Sequence, residues 1–142
     1  PIFSEIKTFK EGWKNHKKCS FEFNLEKKGS INIFFNLGNN NNYRFSNIYL
    51  IARLKSNDKV IFNDTLEYAM SDVNGQWLGK GFSSIKKNKL WWINNWNADK
   101  GNYIVTVQHA MRNNGSIKKV NNLVGVLNFG ILVEEFYNYN KY

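Results

Sequence analysis

The sequence predicts an all-β chain folded as a single antiparallel β-sandwich, of jelly-roll or immunoglobulin-like type. Three observations carry this. Apolar residues recur at every second place in separate runs, the signature of strands with one buried face. Aromatic residues make up 16% of the chain, with one proline and little alanine, a balance that favours strands over helices. Asn, Asp and Gly clusters sit between the runs, where reversals are needed. A chain of 142 residues is the size of one domain, which places 1–142 in a single unit large enough to need no covalent staple.

The elements follow in order. Residues 1–18 form a loosely patterned leader in which Phe3, Phe9 and Trp13 tuck against the body. Phe21, Phe23 and Leu25 alternate with polar residues, and Lys28-Gly29 turns the chain. Ile31, Ile33, Phe35 and Leu37 alternate again, with Phe34 on the opposite face. Asn39 to Asn42 is loop material, since asparagine side chains compete for the backbone. Ile48 to Leu54 is a near-continuous apolar strand, and Ser56-Asn57-Asp58 returns it through Val60 and Phe62 to Met70 as a hairpin. Asp72-Val73-Asn74-Gly75 is a reversal, and Trp77 to Phe82 a second strand with glycines at alternate places, centring a sheet. Ile85 to Leu90 reads as irregular. Tyr103 to Ala110 is a strand after the turn Asp99-Lys100-Gly101. Asn113-Asn114-Gly115 reverses, Leu123 to Val133 closes the fold, and residues 136–142 fray.

The net charge is +9, yet only three of the twenty cations are arginine, and the lysines fall in pairs near turns. Nucleic-acid readers rely on arginine forks gathered in a stripe, so nucleic acid is not an expected partner. Cys19 is the only cysteine and forms no internal disulfide. No apolar run reaches the length of a transmembrane helix. No signal peptide is visible, and Pro1-Ile-Phe-Ser is an abrupt start, equally expected of a chain trimmed from a longer one.

Reactive groups are few. His16-x-x-Cys19 offers two metal ligands where zinc needs three or four. His109 ends a strand as a hydrogen-bonded structural residue. Asp64 and Glu67 have opposite parity on one strand and cannot pair for hydrolysis. Asp72-x-Asn74-Gly75 lacks the spacing and distal glutamate of a calcium loop. The chain therefore reads as no enzyme, with no cofactor, metal or small-molecule substrate expected. The strongest candidate site is Leu90 to Trp96, taken as a partner-docking edge through Trp91, Trp92 and Trp96. Strand parity puts Trp92 and Trp96 on one face and Trp91 on the other. The alternative is that all three cap the open end of the sandwich.

Several stretches taken together resemble the GldH-type gliding-motility lipoproteins of the Bacteroidota. These are Asp64-Thr-Leu-Glu-Tyr-Ala-Met70, Gly75-x-Trp77-x-Gly79-x-Gly81, and Gly101-x-Tyr103 running into Gln108-His109-Ala-Met111-Arg112. Asn39 to Tyr43, Ser46-Asn47, Gly125-Val126 and Phe129-Gly130 add to the match, which spans Phe3 to Glu134. Gly38 and Arg44 depart from the pattern, standing where the family tends to carry arginine and proline, so a role for an arginine at the first position does not carry over. The resemblance implies a non-catalytic envelope lipoprotein that faces the periplasm and serves gliding and the linked type IX secretion machinery. Its partners would be other envelope proteins, and a membrane reached through an N-terminal lipid anchor absent from this chain. Asp64, Gly75, Trp77, Gly79, Gly81, Tyr103, His109, Met111 and Arg112 would then determine the fold, with Trp77 buried between the sheets. A reading of another class is a carbohydrate-binding module that stacks sugar rings on surface tryptophans.

Overall fold

The computed structural model describes residues 1–81, 83–113 and 118–137. The reversal expected over Asn114 and Gly115, the end of the Trp77–Phe82 run and the tail beyond Tyr137 lie outside the described residues. Ten strands form, and no helix is present among the described residues. They are β1 (Phe3–Thr8), β2 (Trp13–Lys14), β3 (Cys19–Leu25), β4 (Gly29–Asn39), β5 (Asn47–Ser56), β6 (Lys59–Ala69), β7 (Lys86–Ala98), β8 (Gly101–His109), β9 (Asn122–Leu123) and β10 (Val126–Glu135). Two four-stranded sheets, ordered β1-β10-β4-β7 and β3-β8-β5-β6, pair antiparallel throughout, and a two-stranded ribbon joins β2 to β9. This is the antiparallel sandwich that the alternation predicts.

Period-2 patterning works here because each sheet buries one face. In β3, Cys19, Phe21, Phe23 and Leu25 are buried and the residues between them exposed. In β4, Ile31, Ile33, Phe35 and Leu37 enter the same core as Leu50, Ala52 and Leu54 of β5. The β5–β6 hairpin turns at Asn57 and Asp58, both at positive φ (52° and 62°), a backbone that Asn and Asp tolerate better than other side chains. A ring stack of Phe3 on Phe23 links β1 to β3, and Phe62 meets Trp92 and Trp96 where β6 faces β7.

Three expectations are corrected. The loosely patterned leader holds a strand: Phe3–Thr8 is an edge strand in full register with β10, from Phe3↔Val133 to Thr8↔Asn128, while Phe3, Phe9 and Trp13 do pack against the body. Its inward positions are Phe3, Glu5 and Lys7, so the apolar alternation is masked by charges typical of an edge. Ile85–Leu90 is likewise not irregular, because β7 starts at Lys86. The inward Asn88 hides the alternation there: it is buried and donates to the Leu37 carbonyl and to Asn39 Oδ1, both at 2.9 Å.

The third correction concerns Trp77 to Phe82, which does not centre a sheet. Over its described part it makes only isolated bridges, Ser71↔Trp77 and Lys80↔Lys87. Asp72 does reverse the chain: its Oδ1 accepts from the Asn74 and Gln76 amides, and Gly75 takes φ 81°. Trp77 is only half-buried. Its Nε1 donates to Asn41 Oδ1 at 3.0 Å and its ring packs near Tyr43, so it covers an end of the core rather than lying between the layers.

The centre of the core is Trp13, which is fully buried. Phe9 stacks on it at 5.3 Å, Phe129 of β10 lies at 4.8 Å and His109 of β8 meets its edge at 5.6 Å. Its Nε1 donates to the Lys17 carbonyl at 2.8 Å. Replacing Trp13 with alanine is expected to cost about 3–5 kcal/mol, the range for a large aromatic removed from a packed core. Trp77→Ala, at a half-buried position, should cost distinctly less. Urea denaturation of both variants checks this, and equal losses would contradict the placement of either ring.

Candidate functional site

Of the candidate reactive groups, His109, Cys19, Asp64 and Glu67 are buried or hydrogen-bonded, whereas His16 is exposed. His109 is buried, its Nδ1 accepts the Met111 amide at 3.3 Å, and its Nε2–H donates to the Trp13 carbonyl at 3.0 Å. That arrangement requires the neutral ring, and burial lowers its pKa against a smaller opposing effect of the Trp13 carbonyl. Burial pushes the Cys19 thiol up to about 11 in spite of Lys7 and Lys17, so the thiolate is scarce at neutral pH. Asp64 and Glu67 do point to opposite faces of β6: Asp64 accepts the Trp92 indole N–H, Glu67 the Asn47 amide. No group of three or more His, Cys, Asp or Glu side chains suited to a metal is found among the described residues.

Residues Leu90–Trp96 lie inside β7, and the three tryptophans part company. Trp92 stacks on Phe35 at 5.1 Å and donates to Asp64 Oδ2 at 2.9 Å. Trp96 meets Phe62 at 5.1 Å and Tyr103 at 5.6 Å, both edge-on. These two half-buried rings close the β6/β7 side of the sandwich. Trp91 points the other way and is 56% exposed. It lies at 4.2 Å from Phe34, which is only 2% exposed although it is on the outer face of its sheet. Lys89 Nζ sits 4.1 Å from the Phe34 ring centre, and its other neighbour is Glu134 at 3.9 Å. Register places Leu132 opposite Phe34 and Ser4 opposite Leu132, giving an outer-face row of Ser4, Leu132, Phe34 and Trp91. The result is a small apolar patch with a polar rim of Asn36, Lys89 and Glu134. Strand parity separates Trp91 from Trp92, whereas the side taken by Trp96 and the cover over Phe34 depend on cross-strand register that no local pattern reveals.

The other motif residues have structural surroundings. The Tyr103 hydroxyl donates to the Asp99 carbonyl, across the β7–β8 turn, and Met111 Sδ accepts the Tyr49 amide. A Cβ on Gly79 would meet Asn88, and one on Gly81 the Ile85 carbonyl, so both allow the 77–81 segment to lie against the start of β7. Arg112, together with Arg44, Phe45, Asn47, Tyr49 and Met111, lines a recess of about 930 Å³ where β5 begins and β8 ends. Sequence reasoning did not find this recess. The one available signal was the rarity of arginine in a lysine-rich chain.

Fold and surfaces together define an antiparallel β-sandwich domain with an exposed apolar patch around Trp91 on one outer face and an arginine-lined recess where β5 begins. The chain belongs to the GldH lipoprotein family, whose model matches residues 1–133. It is 37% identical over 136 residues to a gliding motility lipoprotein GldH homolog of Christiangramia forsetii, covering 94% of this chain and 83% of that protein. It is 33% identical over 135 residues to the gliding motility lipoprotein GldH of Flavobacterium johnsoniae, covering 94% and 84%. Among solved structures, a family 35 carbohydrate-binding module from Clostridium thermocellum aligns with a TM-score of 0.43 at 12% identity, covering 90% of this chain and 86% of that one. Membership supports a role in gliding motility, in a family of lipoproteins that is not a known enzyme family.

Because the folded His109 ring binds its proton less readily than the unfolded one, stability is complete above about pH 6.5, the ordinary imidazole value, and falls as pH drops through it. The urea midpoint is expected to decline between pH 7.5 and 5.5, less steeply in His109→Gln. Identical slopes in the two proteins would mean that His109 is not the group responsible. Cys19 should resist iodoacetamide in the native protein and react only on unfolding.

Proposed function

We propose that this chain is the envelope domain of a lipid-anchored gliding-motility lipoprotein, facing the periplasm and acting by docking other envelope proteins, without catalysis. The observation that carries the reading is Trp91, a large ring more than half exposed on an apolar patch with a polar rim. Exposed tryptophan of this kind is enriched among the residues that dominate protein interfaces. The occupant fitted to it is a protein surface that offers an apolar side chain beside carboxylates, matching Lys89 and the net charge of +9. Service to the linked type IX secretion machinery follows from the same family reading. Sugar stacking would be favoured by several coplanar exposed rings, whereas Trp92 and Trp96 are turned into the sandwich.

Two measurements test this. Trp91→Ala should leave the melting temperature within about 2 °C, as for a surface substitution, and abolish co-purification of envelope partners. An unchanged set of partners would remove Trp91 from the docking face, and binding to oligosaccharide arrays with no protein partner would favour the carbohydrate reading. The full-length protein should need detergent for release from native membranes. Release by high salt alone would mean that charge, not acyl chains, holds it there.

A further inference from the structure

All three arginines of the chain border recesses on one face of the molecule, the outer face of the β3-β8-β5-β6 sheet. Arg44 and Arg112 line the large recess at the start of β5. Arg53 and Lys18 line a second, smaller one, together with Ile51, Thr106 and Gln108. Tyr49, Ile51 and Arg53 are successive outward positions of β5, opposed by Glu67, Thr65 and Asn63 on β6, which puts both recesses along one row. From Tyr49 to Arg53 the row runs about 13 Å at the usual strand rise. The arginines are held in place: Arg44 lies over the Phe45 ring at 5.7 Å, and Arg53 Nε donates to Asn63 Oδ1 at 3.2 Å. Neither Arg44 nor Arg53 is in an ion pair among the described residues. Glu67 is the acidic group in the row, opposite Tyr49, and it accepts from the Asn47 side-chain amide.

We propose that this row binds an extended acidic peptide segment of a partner protein, its carboxylates taken by the arginine forks at the two ends. Guanidinium groups match carboxylates with two parallel hydrogen bonds, a geometry that the scattered lysines cannot supply. An extended peptide of about five residues spans the same length as the row from Tyr49, which lines the first recess, to Arg53, which lines the second. Thr65, Thr106 and Gln108 lie between and offer both donors and acceptors to main-chain amides. A peptide is favoured over an acidic sugar because the floor of this row is a strand flanked by Thr65, Thr106 and Gln108, with Tyr49 its one ring, rather than a set of coplanar stacking rings. The site is separate from the Trp91 patch, which is on the outer face of the other sheet. It shares with the docking reading the premise that the ligand is protein.

The probe is fluorescein-labelled octaglutamate, followed by anisotropy at low salt. Saturable binding is expected, weakened about tenfold by R53Q and about tenfold by the double variant R44Q/R112Q, as for loss of charge-assisted hydrogen bonds. R53K, which keeps the charge and loses the fork, should also weaken it. Trp91→Ala should not, so failure of the Trp91 reading and failure of this one are seen separately. Absence of saturable binding overturns the proposal. So does an equal loss in K27Q/K28Q, far along the chain at the β3–β4 turn, which would mean charge attraction alone. Tighter binding of galacturonate oligosaccharides, or displacement of the peptide by millimolar inorganic phosphate, would also overturn it in favour of another anion.

Discussion

The structure depends on one contact, the Trp13 indole wedged between the two layers. Phe129 of one sheet and His109 of the other touch the same ring, and the His109 imidazole also holds the Trp13 carbonyl. Two sheets that share a core in this way gain stability together. Burial of a ring this size contributes a large fraction of the margin by which a domain is stable. The short β2–β9 ribbon exists because Trp13 must be delivered to that point: Trp13 pairs with Leu123 and Lys14 with Asn122, which fixes the chain on both sides of the indole. Both ring nitrogens of His109 are thus taken up by the fold.

With the inward faces committed to the core, the outward faces carry the side chains that remain exposed. Strand parity makes this division sharp, because a one-residue step reverses the side chain. Trp91 and Trp92 are neighbours in sequence and differ completely in role. Trp92, with its indole N–H on Asp64, seals the β6/β7 side; the Tyr68 hydroxyl, donating to the Trp91 carbonyl at 2.6 Å, seals it again one residue earlier. Those cross-layer hydrogen bonds tie two long edges to each other. The positive φ of Asn95 marks the irregularity that lets Trp96 return to the inner side. The two sheets then present opposite outer surfaces, one carrying an apolar patch around Trp91 and the other a polar row framed by arginines.

Much of this was legible in the residues. The alternation of β3, β4 and β8 and the Asn57-Asp58 turn specify strands and a hairpin with local information only. What was not legible had a nonlocal cause. β1 carries Glu5 and Lys7 on its inward parity, and it is a strand because β10 offers it a ladder of hydrogen bonds. β7 begins with lysines and a buried asparagine, all polar in any scan, and that asparagine, Asn88, is satisfied by Leu37 and Asn39 across the sheet. Trp77 looked like a core residue in a strand because glycines alternate around it; those glycines serve instead to let a loop lie against Asn88 and Ile85. The arginine row joins positions 44, 53 and 112, which only the pairing of β5 with β8 brings together.

The central claim is that Trp13 couples the two sheets into one cooperative core. Native-state hydrogen exchange measures it directly, comparing the amides of Phe35 in β4 with those of Val105 in β8 in the wild type and in Trp13→Phe. The account predicts the same opening free energy for both strands, lowered by the same amount in the variant. A variant in which one sheet loses protection while the other keeps it would contradict the claim and leave two separately stable layers.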